Sequence, residues 1–358
     1  MSLFMESIRG WFAMQKRTLS GLSRVAGLVL VWGLVLQAPA QAAEKLPAFK
    51  VDATQTTVSG LSSGAFMAVQ LQVAYSASIK GAGVVAGGPY YCAAGNMLYA
   101  GICMGQVMFM PPNPALMVNA AKRFAAAGQI DTLSHLKKRH VYVFSGTKDT
   151  VVLQPAVDAT VAFFKQAGVP EANLKYVNHV PAGHAVITPS FGGNCEANAA
   201  PYISHCDVNG QGYDQAGDLL SHLYGALQPK ASSPTGRLVA FNQRAFAAPM
   251  TSMAEEAYLY VPQACEAGET CKVHVALHGC MQSAESVGNE FVSDTGYNAW
   301  ADTNHLLVLY PQVNKSTLPF NPQGCWDWFG YTGTNYATKS SMQMMAIKSM
   351  VTALGKKK

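Results

Sequence analysis

The stretch GLSSGAFMA, residues 60–68, places Gly60, Ser62 and Gly64 in the spacing G-x-S-x-G. That pattern constrains the fold strongly. A serine held on so sharp a turn needs a strand before it, a helix after it and small residues on both sides. The flanks comply: TQTTVSG, residues 54–60, reads as a strand, and AFMAVQLQVAYSASI, residues 65–79, carries helical apolar spacing. Ser62 holds the central position and is the candidate nucleophile. Ser63 and Ser59 are its neighbours, and a purely structural Ser-Gly turn is the alternative. A second motif, VHVALHGCMQ at 273–282, reads as a buried strand ending in His-Gly, the form of an oxyanion element. It follows the serine by more than two hundred residues. Such an element ordinarily precedes the serine, so the order implies circular permutation, which is tolerable where termini lie close together at a surface.

Apolar runs alternate with helical stretches through both halves of the chain, which predicts an α/β fold with a mostly parallel sheet. The mildest break is QPKASSPTG, residues 228–236, and there is no internal repeat. A single circularly permuted α/β-hydrolase domain over 43–358 is expected. The acid and base should follow the serine on later strand ends. Asp149 comes just after the apolar run HVYVF at 140–144, and His184 lies in VPAGHAV after the next strand. Asp131 and His179 are the rivals; His179 reads as lying inside the strand. In the closing helix, residues 340–354, Met342, Met345, Ile347, Met350 and Leu354 are read as core.

Of the 358 residues, 49% are hydrophobic and 13% charged, enough to bury a large core and too apolar for disorder. Residues 1–42 carry net charge +3 of the chain's +5, which leaves no basic footprint for nucleic acid. Lys16, Arg17 and Arg24 precede the apolar run 25–36 and then QAPAQAAEK. This is the layout of a signal peptide over 1–42, cleaved after Ala42 or, second, Ala40. An uncleaved anchor is the alternative, though the run is short for a span. Met14 could itself be the start. Once the segment is cleaved, no stable membrane association is expected. Eight cysteines in an exported chain favour disulfides over a metal site. Proximity suggests Cys92–Cys103, Cys195–Cys206 and Cys265–Cys271, which leaves Cys280 with Cys325. No metal-ligand spacing is present, no metal or cofactor is expected, and DVNGQGYD at 207–214 reads as a turn rather than a calcium loop.

The motifs GLSSGAFMA, SGTKD, AGH, LHGCMQ and NPQGCWDWFGYTG together resemble the permuted catalytic domain of extracellular poly(3-hydroxybutyrate) depolymerases, in that family's order from about residue 45 to 355. The resemblance implies Ser62, Asp149 and His184 as the triad, with the backbone N–H groups of Ser63 and Cys280 as the oxyanion hole. It implies hydrolysis of the polyester or its 3-hydroxyalkanoate oligomers without a cofactor, outside the cytoplasm, in the periplasm or beyond the cell. Trp326 and Trp328 are candidate walls of an ester subsite or, equally, core packing. Many family members append a polymer-binding domain. This chain runs to GKKK after the closing helix, so an enzyme without that domain and with a weak hold on crystalline polymer is expected. The alternatives are a carboxylesterase of small or plant-wall esters, or a catalytically silent binding protein on the same scaffold.

Overall fold

The computed structural model describes residues 44–355. The expected signal peptide and its cleavage site lie outside them. Eight strands form one sheet: β1 (Val51–Leu61), β2 (Gly81–Val85), β3 (His140–Phe144), β4 (Leu174–Val177), β5 (Arg237–Asn242), β6 (Glu256–Val261), β7 (Cys271–Leu277) and β8 (Leu306–Tyr310). Their spatial order is β5-β6-β8-β7-β1-β2-β3-β4. Only β6 runs against its neighbours; every pairing from β8 to β4 is parallel. The first half of the chain therefore builds the sheet from its middle to one edge, and the second half fills the other side. The seam lies between β1 and β7, where Gly60 pairs with Leu277.

The inner strands are apolar on both faces because helices cover both sides, as a parallel sheet requires. Among these are α1 (Ser63–Ala74), α2 (Pro114–Ala126), α3 (Gln154–Ala167), α4 (Gln215–Tyr224), α5 (Tyr297–Thr303) and α6 (Met342–Leu354). Helix α1 is buried along its whole length. Phe49 N–H donates to Leu354 C=O at 2.7 Å, so the two ends of the described domain meet. That closeness is what joining the sheet in a different chain order needs.

Two local expectations are corrected. In α6 Met344 faces the core and Met345 is exposed, so the apolar stripe runs through Met344, Ile347, Val351 and Leu354. His179 lies exposed in the loop after β4, because that strand ends at Val177. The 207–214 stretch is a small hairpin, with Asn209 and Gly210 at the positive φ its tight turn demands.

Candidate active site

Parallel strands β1, β3, β4 and β7 all end at the same edge of the sheet, where α/β folds assemble their sites. Ser62 stands between β1 and α1 with φ 56° and ψ −122°, a costly backbone for a non-glycine residue. Its N–H is anchored on Val85 C=O at 3.0 Å. The flanking glycines are explained by closeness. A Cβ on Gly64 would lie 2.3 Å from Leu277 O and 2.5 Å from His278 O, and one on Gly60 would lie 2.4 Å from Gly64 C. The turn is pressed against the end of β7 with no room for a methyl group.

The neighbouring serines are engaged elsewhere. Ser63 Oγ accepts from Trp326 N–H at 3.3 Å. Ser59 Oγ lies in the core beside His274 Nε2 and Tyr297 OH, each at 2.8 Å. The rival acid, Asp131, pairs on the surface with Lys339 and accepts from Ala77 N–H.

Asp149 and His184 meet. His184 Nδ1 donates to Asp149 Oδ2 at 2.8 Å, and both side chains are buried. Asp149 Oδ1 accepts the N–H groups of Val151 and Val152 at 2.8 and 2.9 Å, which leaves Oδ2 for the imidazole. With its proton on Nδ1, the ring presents Nε2 as a base. Among the described residues neither Nε2 of His184 nor Oγ of Ser62 has a hydrogen-bond partner, so their mutual contact remains open. Such contacts commonly tighten only around substrate.

The loops are stitched by side chains that sequence reasoning missed. Asn198 Oδ1 accepts from His184 N–H and Thr150 N–H at 2.9 and 3.0 Å, while its Nδ2 donates to Lys148 C=O at 3.1 Å. One amide thus binds the acid loop to the base loop. Gln282 does the same between the His-Gly loop and the segment beside His184. Its Oε1 accepts from Gly279 N–H at 2.7 Å, and its Nε2 donates to the carbonyls of Pro201 and Tyr202 at 2.9 and 3.0 Å. The Tyr202 ring sits edge-on to His184, 6.1 Å between centroids. On the other side, a Cβ on Gly279 would come 3.4 Å from the Ser62 Cβ. Serine, His-Gly loop and histidine are therefore consecutive neighbours.

Ser63 N–H, at the first turn of α1, and Cys280 N–H, in the loop after β7, donate to no acceptor among the described residues. They are the two amides that the sequence singles out. Four disulfides join Cys92–Cys103, Cys195–Cys206, Cys265–Cys271 and Cys280–Cys325. The last fastens the His-Gly loop to the aromatic loop, helped by Met281 N–H donating to Gln323 C=O at 2.7 Å. At the centre of that aromatic loop Asp327 accepts the N–H groups of Phe329, Gly330, Tyr331 and Thr332. Burial nevertheless pushes the Asp327 carboxyl up, against the pull of these donors.

The two tryptophans are deeper than a pair of subsite walls would be. Trp326 is 0% exposed, its ring 5.6 Å from that of His278, so it supports the loop from behind. Trp328 keeps 6% and stacks on Phe66 at 4.3 Å. Aromatic area is consumed in core contact here, and of the two only Trp328 retains surface for a ligand. Among the described residues no group of three or more His, Cys, Asp or Glu side chains is arranged to hold a metal ion.

No family model matches the chain. A poly(3-hydroxybutyrate) depolymerase of Delftia acidovorans is 49% identical over 316 residues, 87% of this chain and 61% of that protein. The chain thus spans about three-fifths of that relative's length. A polyhydroxybutyrate depolymerase of Talaromyces funiculosus is 38% identical over 343 residues, 90% of this chain and 96% of the relative. The crystal structure of PHB depolymerase from Penicillium funiculosum matches with TM-score 0.79 and 36% identity, covering 87% of this chain and 98% of its own. A PHB depolymerase variant complexed with an R3HB trimer matches with the same values.

Proposed function

The chain belongs to the poly(3-hydroxybutyrate) depolymerase family, and from that premise we propose that it is a serine esterase cleaving poly(3-hydroxybutyrate) or its short 3-hydroxyalkanoate oligomers through an acyl-enzyme. The observation that carries this reading is the Asp149–His184 pair beside a strained Ser62 flanked by two unengaged amides. His184 Nε2 takes the Ser62 proton as Oγ attacks the ester carbonyl. Asp149 holds the ring tautomer and stabilises the imidazolium. The N–H groups of Ser63 and Cys280 receive the oxyanion, each worth about 10²–10³ in rate. His184 then protonates the departing secondary alcohol, and water releases the acid by the same route. No cofactor enters these steps.

Two sets of exposed apolar residues suit a polyester surface. Leu98 is 86% and Phe109 92% exposed, with Met97, Met108 and Met110 beside them. Their segment is tied to the acid loop by Leu153 N–H donating to Met104 C=O and by Gln106 donating to Val151 C=O. Leu318 and Phe320 form the second set, next to the aromatic loop. Exposed apolar patches of this kind mark interaction surfaces. These residues are the adsorption face we propose for the catalytic domain, set against the weak hold on crystalline polymer expected without an appended binding domain. Four disulfides support an oxidising compartment. We assign the protein to the periplasm or the medium, with 1–42 as its signal peptide.

Purified protein assayed on amorphous polymer, on the 3-hydroxybutyrate trimer and on p-nitrophenyl butyrate tests the reading. Ser62→Ala should lower turnover on all three by about 10⁶. Turnover of the small ester with none on trimer or polymer would assign a general carboxylesterase. Turnover of none of the three would assign a binding protein.

A further inference from the structure

The oxyanion donor Cys280 N–H belongs to a planar peptide whose other polar end is Gly279 C=O. Whatever fixes that carbonyl also fixes the direction of the N–H. His278 Nδ1 lies 2.6 Å from Gly279 O, and His278 Nε2 lies 3.0 Å from Val313 N. A backbone N–H can only donate and a carbonyl can only accept. The tautomer is therefore dictated: Nε2 accepts from Val313, and Nδ1–H donates to Gly279 O. Burial pushes the His278 ring down to about 4, which preserves this neutral form with one donor and one acceptor.

The same logic orients Gln282. Its Oε1 must face Gly279 N–H, because its Nε2 faces two carbonyls, Pro201 and Tyr202. Gly279 is thus held at its N–H by one side chain and at its C=O by the other. Both side chains are 0% exposed, so neither can touch a substrate. The His278 ring is further wedged between Phe291 and Trp326, at 6.1 and 5.6 Å between centroids.

We propose that His278 and Gln282 are the positioning residues of the oxyanion hole, holding Gly279 from both sides so that Cys280 N–H stays aimed at the reacting carbonyl oxygen. A hydrogen bond accepted by an amide oxygen also polarises that amide and strengthens its N–H as a donor. His278 therefore aims the donor and sharpens it, while Gln282 couples the loop to the segment that carries Tyr202 against His184. This inference rests on the hydrolase reading of the site.

The test compares His278→Ala, His278→Asn and Gln282→Met with the parent. Active sites are counted with a fluorophosphonate, so that misfolded protein does not enter kcat. The substrate is p-nitrophenyl butyrate. A butyl trifluoromethyl ketone, whose adduct with Ser62 carries an oxyanion, reports on the hole itself. His278→Ala and Gln282→Met should lower kcat per titrated site about 10- to 100-fold, below the loss of a whole donor, with KM within threefold. Ketone affinity should fall in parallel with kcat. His278→Asn, which can place an amide N–H where Nδ1–H was, should recover about tenfold over His278→Ala. If His278→Ala does not fold, Gln282→Met and His278→Asn decide between the outcomes. The proposal is overturned if kcat per site stays within twofold of the parent, if the loss falls on KM while ketone affinity is unchanged, or if asparagine and alanine are equally impaired. A parent that neither hydrolyses esters nor reacts with fluorophosphonate would instead refute the hydrolase reading.

Discussion

Gly64→Ala offers a sharp test of how the two halves of this chain meet. The glycine has no positive φ to explain it; only distance does. An added Cβ would stand 2.3 Å from Leu277 O, 2.5 Å from His278 O and 2.7 Å from Leu277 C. All three are backbone atoms, so no rotamer change relieves the contact. Ordinary contact begins near 3.4 Å, and α1 and the end of β7 must separate by about 1 Å. Helix α1 begins with Ser63, and the loop that leaves β7 carries Cys280, the two residues proposed as oxyanion donors. A hydrogen bond of 2.7–3.1 Å stretched by about 1 Å is no longer one. The expected loss in kcat is therefore about 10²–10³ on p-nitrophenyl butyrate, the value of one donor. Overpacking should add about 1–3 kcal/mol of destabilisation, read from urea unfolding. Gly101→Ala is the control, since its Cβ would meet only Val107 Cγ2 at 3.5 Å. Parent-like kcat and stability in Gly64→Ala would show that the loop after β7 yields freely, and the account of a rigid seam would fail.

Burial pushes His274 from 6.5 down to about 3, so between those values only the unfolded chain binds its proton: its contribution is complete above pH 6.5 and is lost as pH falls toward 3, by up to about 5 kcal/mol. Urea unfolding of His274→Gln from pH 7 to 4 should show a shallower decline than the parent, and identical slopes would refute the assignment. Replacing both Cys280 and Cys325 by serine should cost about 4 kcal/mol on the chain-entropy account of a 45-residue separation and should also lower kcat; unchanged urea midpoints would remove the bridge from the stability argument. Met108→Ser combined with Phe109→Ser should weaken adsorption to polymer film several-fold while leaving p-nitrophenyl butyrate turnover within twofold, and equal adsorption would move the docking face elsewhere.

What could be read from the sequence was whatever obeys a local rule. The elbow was legible because two glycines and a serine must sit at fixed spacing. Asp149 and His184 were legible because polar residues just after apolar runs fall on strand ends. Asn198 and Gln282 were not, because an uncharged amide announces nothing about carbonyls brought to it by the fold. Segment 97–110 was silent for another reason: Met, Leu, Tyr and Phe read as core in any composition argument, and only the fold shows them held outside. Met344 and Met345 differ by one step of about 100° around the helix, finer than an apolar pattern resolves. Whether each tryptophan beside Cys325 reaches the surface could not be read locally, because it depends on Phe66 and His278, residues from both halves of the chain.

The tightness of the seam comes from strand register and backbone contact, not from the order of the motifs along the chain. In an unpermuted chain the His-Gly strand and the nucleophile strand are likewise neighbours in the sheet, not in sequence. Cutting the chain elsewhere leaves that neighbour relation untouched. The register Gly60–Leu277 is a contact between strands, and it brings the start of α1 against the end of β7 regardless of which half is made first. The chain order does change the entropy of bringing them together, since the closing loop spans most of the domain. Loop-closure cost grows only logarithmically, by about 0.6 kcal/mol per doubling of length. The contacts at the seam outweigh so small a term: an eleven-residue strand paired on both sides, a helix buried along its length and a disulfide on the loop that follows β7. Chemistry at this edge is therefore set by sheet register, and the order of the motifs along the chain is free to vary.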